Sequence, residues 1–129
     1  DPIVVEILQR FPGQELATSE ARDFWRGVTE FQWAHAAGAL AKVALTPALV
    51  PAFNAWVRTR AEARGWVSAG GNVGYVSVAA DVASAESPWP GVSLRGAGPL
   101  WVGPRRDYAV MRAVKAALDP QNRFPTLDD

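Results

Sequence analysis

The 129-residue chain has no cysteine. That excludes disulfides, thiol nucleophiles, iron–sulfur ligation and thiolate zinc sites, and it predicts a reducing, cytoplasmic compartment. Histidine occurs once, as His35. Without an H-x-x-H or H-E-x-x-H spacing or a carboxylate cluster, the sequence offers no metal site. Neither sign of charge is in excess, since thirteen Lys+Arg balance thirteen Asp+Glu. The electrostatic footprint of a nucleic-acid or anionic-membrane binder is therefore missing. No apolar run approaches the roughly twenty residues that span a bilayer, and no signal peptide is visible. Lysine is scarce, because eleven of the thirteen basic residues are arginine. Arginine suits planar ion pairs and recognition of carboxylate or phosphate, and equally a GC-rich or thermophilic genome.

What is present is a chain able to fill a core. Hydrophobic residues make up 49% and charged residues 20%, which predicts one domain. The first residues are Asp1-Pro2, with no initiator methionine; the expectation is an excised piece of a longer protein.

Pattern along the chain predicts its elements. IVVEIL, residues 3–8, is short, apolar and β-branched, and reads as a strand. Thr18 or Ser19 is placed to cap a helix with Glu20 in its first turn and Phe24, Val28 and Phe31 on one face. LAKVAL, residues 40–45, alternates as a strand, with Lys42 on the face opposite Val43. A helix starting in earnest at Pro51 follows, its buried stripe Phe53, Trp56, Val57 and Ala61, with Gly65 as its stop. WVSA, GGN and VGYVSVAA, residues 66–80, read as a hairpin. Residues 81–98 read mostly as loop with a helical turn near 82–86, and PLWV, 99–102, as a short strand. Pro104 opens a last helix with Tyr108, Met111, Val114 and Leu118 inward, and Asp119-Pro120 ends it. This order predicts an α+β, ferredoxin-like split βαβ fold with a mostly antiparallel sheet and helices packed on one face.

Chemistry-bearing residues are few. His35 is a weak candidate base with no partner at matching spacing. GGNVGY resembles a phosphate loop only superficially, because a strand and not a helix follows it. Asn72 and Tyr75 sit where a sheet end can line a cleft, and Gly74 lets a ligand or backbone come close. Lys42, the one charge within its strand, either meets solvent or anchors a carboxylate. Arg95 and the pair Arg105-Arg106 offer similar charge, the pair opposing a helix dipole. Of six tryptophans, Trp25, Trp56 and Trp66 fit core positions, while Trp33, Trp89 and Trp101 lie near turns and suit a contact surface.

AVMRAVKAALDPQNRFP, residues 109–125, resembles the C-terminal signature of FAD-linked oxidases and dehydrogenases of the vanillyl-alcohol-oxidase type, through Lys115, Ala116, Leu118, Asp119, Pro120 and Phe124. FWRGVTEFQW and LAKVALTPALVPAF look more loosely like the cap domain of the glycolate oxidase FAD-binding subunit. The Asn-Pro-Gly-Arg ending of that family is here Phe124-Pro125-Thr126, and its metal-binding motifs are absent. The resemblance implies the C-terminal cap of a flavoprotein that oxidises a glycolate-like 2-hydroxy acid, inactive as a fragment. FAD would be bound mainly by an N-terminal domain of the same protein, with further oxidase subunits as partners and a peripheral membrane location through one of them. Lys42, Asn72 and Tyr75 would face substrate or flavin. Asp119, Pro120, Arg123 and Phe124 would form a docking tail, poorly packed without the flavin domain. The alternative from the residues alone is a free-standing ferredoxin-like module for ligand binding or dimerisation, without redox chemistry.

Overall fold

The structure, a computed structural model, describes residues 2–11, 13–79, 87–105 and 107–124. The chain forms two compact units, residues 1–33 and residues 34–129.

The first unit holds two helices, α1 (Pro2–Arg10) and α2 (Thr18–Thr29), and neither buries a residue. The strand expected over residues 3–8 is thus a helix. Ile3 and Ile7 of the run IVVEIL, with Phe11 beyond it, fall at i, i+4 and i+8, and a short apolar run satisfies strand and helix templates alike. Local hydrogen bonding decides for helix, as in the Phe11 N–H to the Ile7 carbonyl at 2.8 Å. In α2 the expected Thr or Ser cap is replaced by Ala17, whose N–H donates to the Glu20 carboxylate at 2.9 Å. That is half of a capping box.

The second unit is built on β1 (Ala39–Ala44), α3 (Val50–Arg58), β2 (Arg64–Ser68), β3 (Val73–Val78), β4 (Gly91–Arg95), β5 (Trp101–Val102) and α4 (Tyr108–Leu118). The strands form one antiparallel sheet in the order β2-β3-β1-β4-β5. β1 and β2 run parallel with β3 between them, and α3 makes the crossover. This is the split βαβ unit of an α+β fold. β4 then pairs the free edge of β1, and β5 extends that edge.

Several local expectations are corrected. β4 lies inside residues 81–98, which read as loop from sequence. Its flanking glycines and prolines mask a strand that exists only through pairing with β1 and β5. The helical turn expected at 82–86 falls outside the described residues. Gly65 does not stop α3. The helix ends at Arg58, and Gly65 lies in β2 against Val57 and Phe53. The last helix starts at Tyr108 and not near Pro104, after Asp107 in a left-handed conformation (φ 56°). Within it Tyr108 and Met111 are half-buried, whereas Val114 and Leu118 are exposed; Ala61 is exposed too.

Register explains where the core sits. Directly paired residues share a sheet face, so Val43, Gly74, Val76, Gly91 and Val102 point to one side. α3 covers that side with Phe53 and Val57, which join Val43, Leu45, Val76, Trp89 and Val102 in the core. Trp89 is therefore a core residue and Trp25 is exposed, the reverse of the sequence-based division. The rings of Phe53, Trp56 and Trp89 meet at centroid distances of 5.6–6.3 Å. Phe53 reaches the sheet because Gly74 has no Cβ. One built there would lie 2.8 Å from Leu45 and 3.0 Å from the Phe53 ring. The close approach that Gly74 permits is thus filled from within.

Phe53→Ala should cost about 3–5 kcal/mol of stability through the cavity it leaves. Gly74→Val should also destabilise, by about 1–3 kcal/mol of overpacking. Denaturant midpoints measured with the native chain alongside check both.

Candidate functional site

The sheet face turned away from α3 carries Leu40, Lys42 and Ala44 of β1, Val73, Tyr75 and Ser77 of β3, Val92 of β4 and Trp101 of β5. Its two ends differ in character.

One end is sealed. Leu40 and Ser77 are buried. The His35 N–H donates to the Ser77 hydroxyl at 3.0 Å, and the His35 ring Nε2 lies 2.7 Å from the Glu62 carbonyl oxygen. Arg95 donates to the Gly38 carbonyl at 3.1 Å and to the His35 carbonyl. His35 and Arg95 thus pin the 35–38 turn against the sheet. Their hydrogen bonds go to backbone carbonyls and to the buried Ser77 hydroxyl, and neither residue lines the cavity at the other end.

The other end is open. A cavity of about 330 Å³ is bordered there by Lys42, Asn72, Val92, Trp101, Arg105 and Tyr108, among others. Its walls are mostly apolar, with Val73 and Met111 adding to them. Lys42 is exposed and has Tyr75 and Val92 as its direct cross-strand neighbours. A cation placed on the central strand by alternation stays at this face, because its neighbours Ala41 and Val43 must face α3. Tyr75 is half-buried beside Lys42 but does not border the cavity. Asn72 does, while its side-chain amide donates to the Ala69 carbonyl at 2.8 Å and so braces the β2–β3 turn. The Arg105 guanidinium stands 5.8 Å from the Trp101 ring centroid and 5.5 Å from that of Tyr108. Such stacking holds a cation in place over apolar surface. The Trp101 indole N–H is buried with no acceptor among the described residues. Arg106 falls outside the described residues. No carboxylate borders the cavity among the described residues, and none of them form a metal-binding group of acidic, His or Cys side chains.

The structure therefore brings Lys42, Asn72 and Tyr75 to one region of one face and leaves His35 with the sealed end. Sequence reasoning missed Val92 and Met111 as cavity walls. Val92 sits in the unrecognised strand. Met111 was assigned to a helix face without any signal for which sheet surface that face meets.

The docking-tail residues have a different arrangement from the loose tail expected. Asp119 is buried. Its carboxylate accepts from the Lys115 ammonium at 2.7 Å, from the Arg123 N–H at 2.7 Å and from the Phe124 N–H at 3.0 Å. Lys115 also donates to the Asn122 side-chain oxygen at 2.7 Å. The Lys-x-x-x-Asp-Pro pattern is thus a knot just past the helix end, in which the Asp119 carboxylate ties the last-turn lysine to the backbone N–H groups of the segment that follows. Residues 119–124 are ordered by it, and Pro120, Arg123 and Phe124 are exposed on its surface. Residues 125–129 lie outside the described residues.

The chain was compared with models of protein families, with characterised proteins and with solved structures, and it matches none of them. No helix among the described residues is long and apolar enough to cross a membrane.

The Lys115 hydrogen bond, with the Arg123 and Phe124 N–H groups, lowers the Asp119 pKa from its ordinary 3.8 to about 2. A carboxyl depressed in the folded state adds stability that is complete above the unfolded value and is lost as pH falls through the folded one. The knot should therefore hold at pH 5 and loosen between about pH 4 and pH 2. Amide exchange at Arg123 and Phe124 reports this directly. Asp119→Ala should abolish their protection at neutral pH and leave the β1–β3 amides protected.

Proposed function

We propose that this chain is the substrate-facing cap domain of an FAD-linked oxidoreductase acting on a 2-hydroxy acid. The observation that carries the reading is the half-open sheet face, on which Lys42 stands at the edge of an apolar cavity with no acidic residue among its described walls. A split βαβ sheet with one face packed by a helix and the other partly bare needs a covering group, and this one suits a flat or anionic one. The Lys115–Asp119 knot supports the same reading, since it gives a structural reason for the Lys and Asp-Pro of the C-terminal resemblance.

The chain's own residues fit that role by binding and orientation. Lys42 neutralises the substrate carboxylate at a surface of low polarity, where a charge-assisted hydrogen bond is worth more than in water. Val73, Val92 and Trp101 form an apolar wall beside it. When bound, FAD would supply the redox chemistry, accepting hydride as the hydroxy acid becomes the 2-oxo acid. Positioning is the contribution left to the cap, and it is a substantial one for a two-partner reaction.

The second reading is a ligand-binding or dimerisation module without redox chemistry. It draws on the exposed Val110, Val114 and Leu118 of α4, an apolar stripe at i, i+4 and i+8.

Anaerobic addition of glycolate or D-lactate to the intact protein that carries this chain should bleach the flavin absorbance. Lys42→Met should raise the half-saturating concentration about 10- to 100-fold, the value of one charged hydrogen bond. An intact protein that neither contains nor binds flavin would overturn the oxidoreductase reading, and an unchanged Lys42→Met would remove Lys42 from the site.

A further inference from the structure

The cavity between β1, β4, β5 and α4 has more structure than a carboxylate anchor for a two-carbon acid requires. Its volume of about 330 Å³ falls at the lower end of the roughly 300–1,000 Å³ range of small-molecule sites. Two cations reach it from separate elements, Lys42 from the central strand and Arg105 from the β5–α4 connection. Apart from Asn72 the rest of the wall is mostly apolar, including Val73, Val92 and Val102, with Trp101 and Tyr108 beneath the Arg105 guanidinium. Met111 adds a flexible, polarizable surface that adapts to a flat ring.

We infer that this cavity binds a monocarboxylate bearing an aromatic or bulky branched side chain, and that within the proposed oxidoreductase the preferred substrate is a 2-hydroxy acid of that kind in place of glycolate. Charge complementarity selects the anionic end. Lys42 at the edge of a wall with no acid among its described residues makes an anion site, and placing a neutral group there forgoes the charge-assisted bond. The apolar wall selects the side chain. Each methylene or ring atom transferred from water to such a surface is favourable by about 25 cal/mol per Å² buried, and glycolate has almost no apolar area to contribute. Inorganic phosphate would meet the same charge but would leave the apolar wall hydrated, so an anion that carries an apolar group is favoured. The substrate statement rests on the oxidoreductase reading; the binding statement does not, because every residue invoked belongs to this chain.

The test uses the intact protein that carries this chain, freed of flavin and titrated with 3-phenyllactate, glycolate, 3-phenyllactamide and inorganic phosphate. Binding is followed by tryptophan fluorescence and by the indole N–H resonance of Trp101. Phenyllactate should bind at least tenfold more tightly than each of the other three and should shift the Trp101 resonance. Lys42→Met and Arg105→Gln, both at exposed positions, should each weaken phenyllactate about tenfold with an unchanged far-ultraviolet spectrum. Glycolate binding as tightly as phenyllactate, the neutral amide binding as tightly as the acid, tighter binding of inorganic phosphate, or no binding at all would each overturn the inference. The two readings fail separately. Phenyllactate binding to this chain with no flavin reduction in the intact protein sinks the oxidoreductase reading alone. Flavin reduction by glycolate with no phenyllactate binding sinks the ligand class alone.

Discussion

β1 is hydrogen-bonded along both edges, to β3 on one side and β4 on the other, and the rest of the second unit depends on that double pairing. Because side chains alternate along a strand, one register fixes Val43 into the core and Lys42 onto the opposite face at once. A slip of one residue would bury an ammonium under α3 and expose a valine. The core thus enforces the position of the cation. A lysine on an edge strand would have no comparable constraint, and a lysine on a loop would have none.

The same strand separates two kinds of surface on its outer face. At the Leu40–Ser77 end, His35 and Arg95 give their polar groups to backbone carbonyls and to a buried hydroxyl, which closes the surface. At the Ala44–Val73 end the covering is partial, and α4 contributes only Tyr108 and Met111 to the cavity wall. Sealing one end and leaving the other open is a division a binding surface uses, since the sealed half supplies rigidity that the open half does not have to provide. The Asp119 knot acts likewise at the end of α4. It stops the helix with a satisfied, buried carboxylate, so the surface presented by Arg123 and Phe124 has a defined shape.

Much of the fold was legible from pattern, and the failures have identifiable causes. LAKVAL and VGYVSV alternate and were read as strands; the order strand, helix, hairpin then implies a split βαβ unit, which the pairing bears out. GVSLR carries the same alternation in miniature, but prolines and glycines on both sides outweigh five residues of signal, and only its partners make it a strand. IVVEIL failed in the opposite direction, because β-branched residues favour strands only when a sheet accepts them. Without a partner strand among the described residues, the segment satisfies its backbone through helical hydrogen bonds of its own. Trp25 and Trp89 exchanged roles because periodicity places a tryptophan on a face without saying which face meets the core.

The sequence by itself determined the absence of thiol chemistry, the balance of charge, the class of the fold, and the placement of Lys42 opposite Val43. These follow from composition and from a side-chain period of two, which no tertiary contact alters. Tertiary structure alone decided that Arg105, Trp101, Tyr108 and Met111 meet Lys42 around one cavity, and that His35 does not. Those residues are separated by up to about seventy positions along the chain, and nothing local couples them. The antiparallel register between β1, β4 and β5 carries Lys42 and Trp101 to the same face, because hydrogen-bonded strands convert separation in sequence into a spacing of roughly 5 Å; the connection after β5 and the start of α4 then bring Arg105, Tyr108 and Met111 to it.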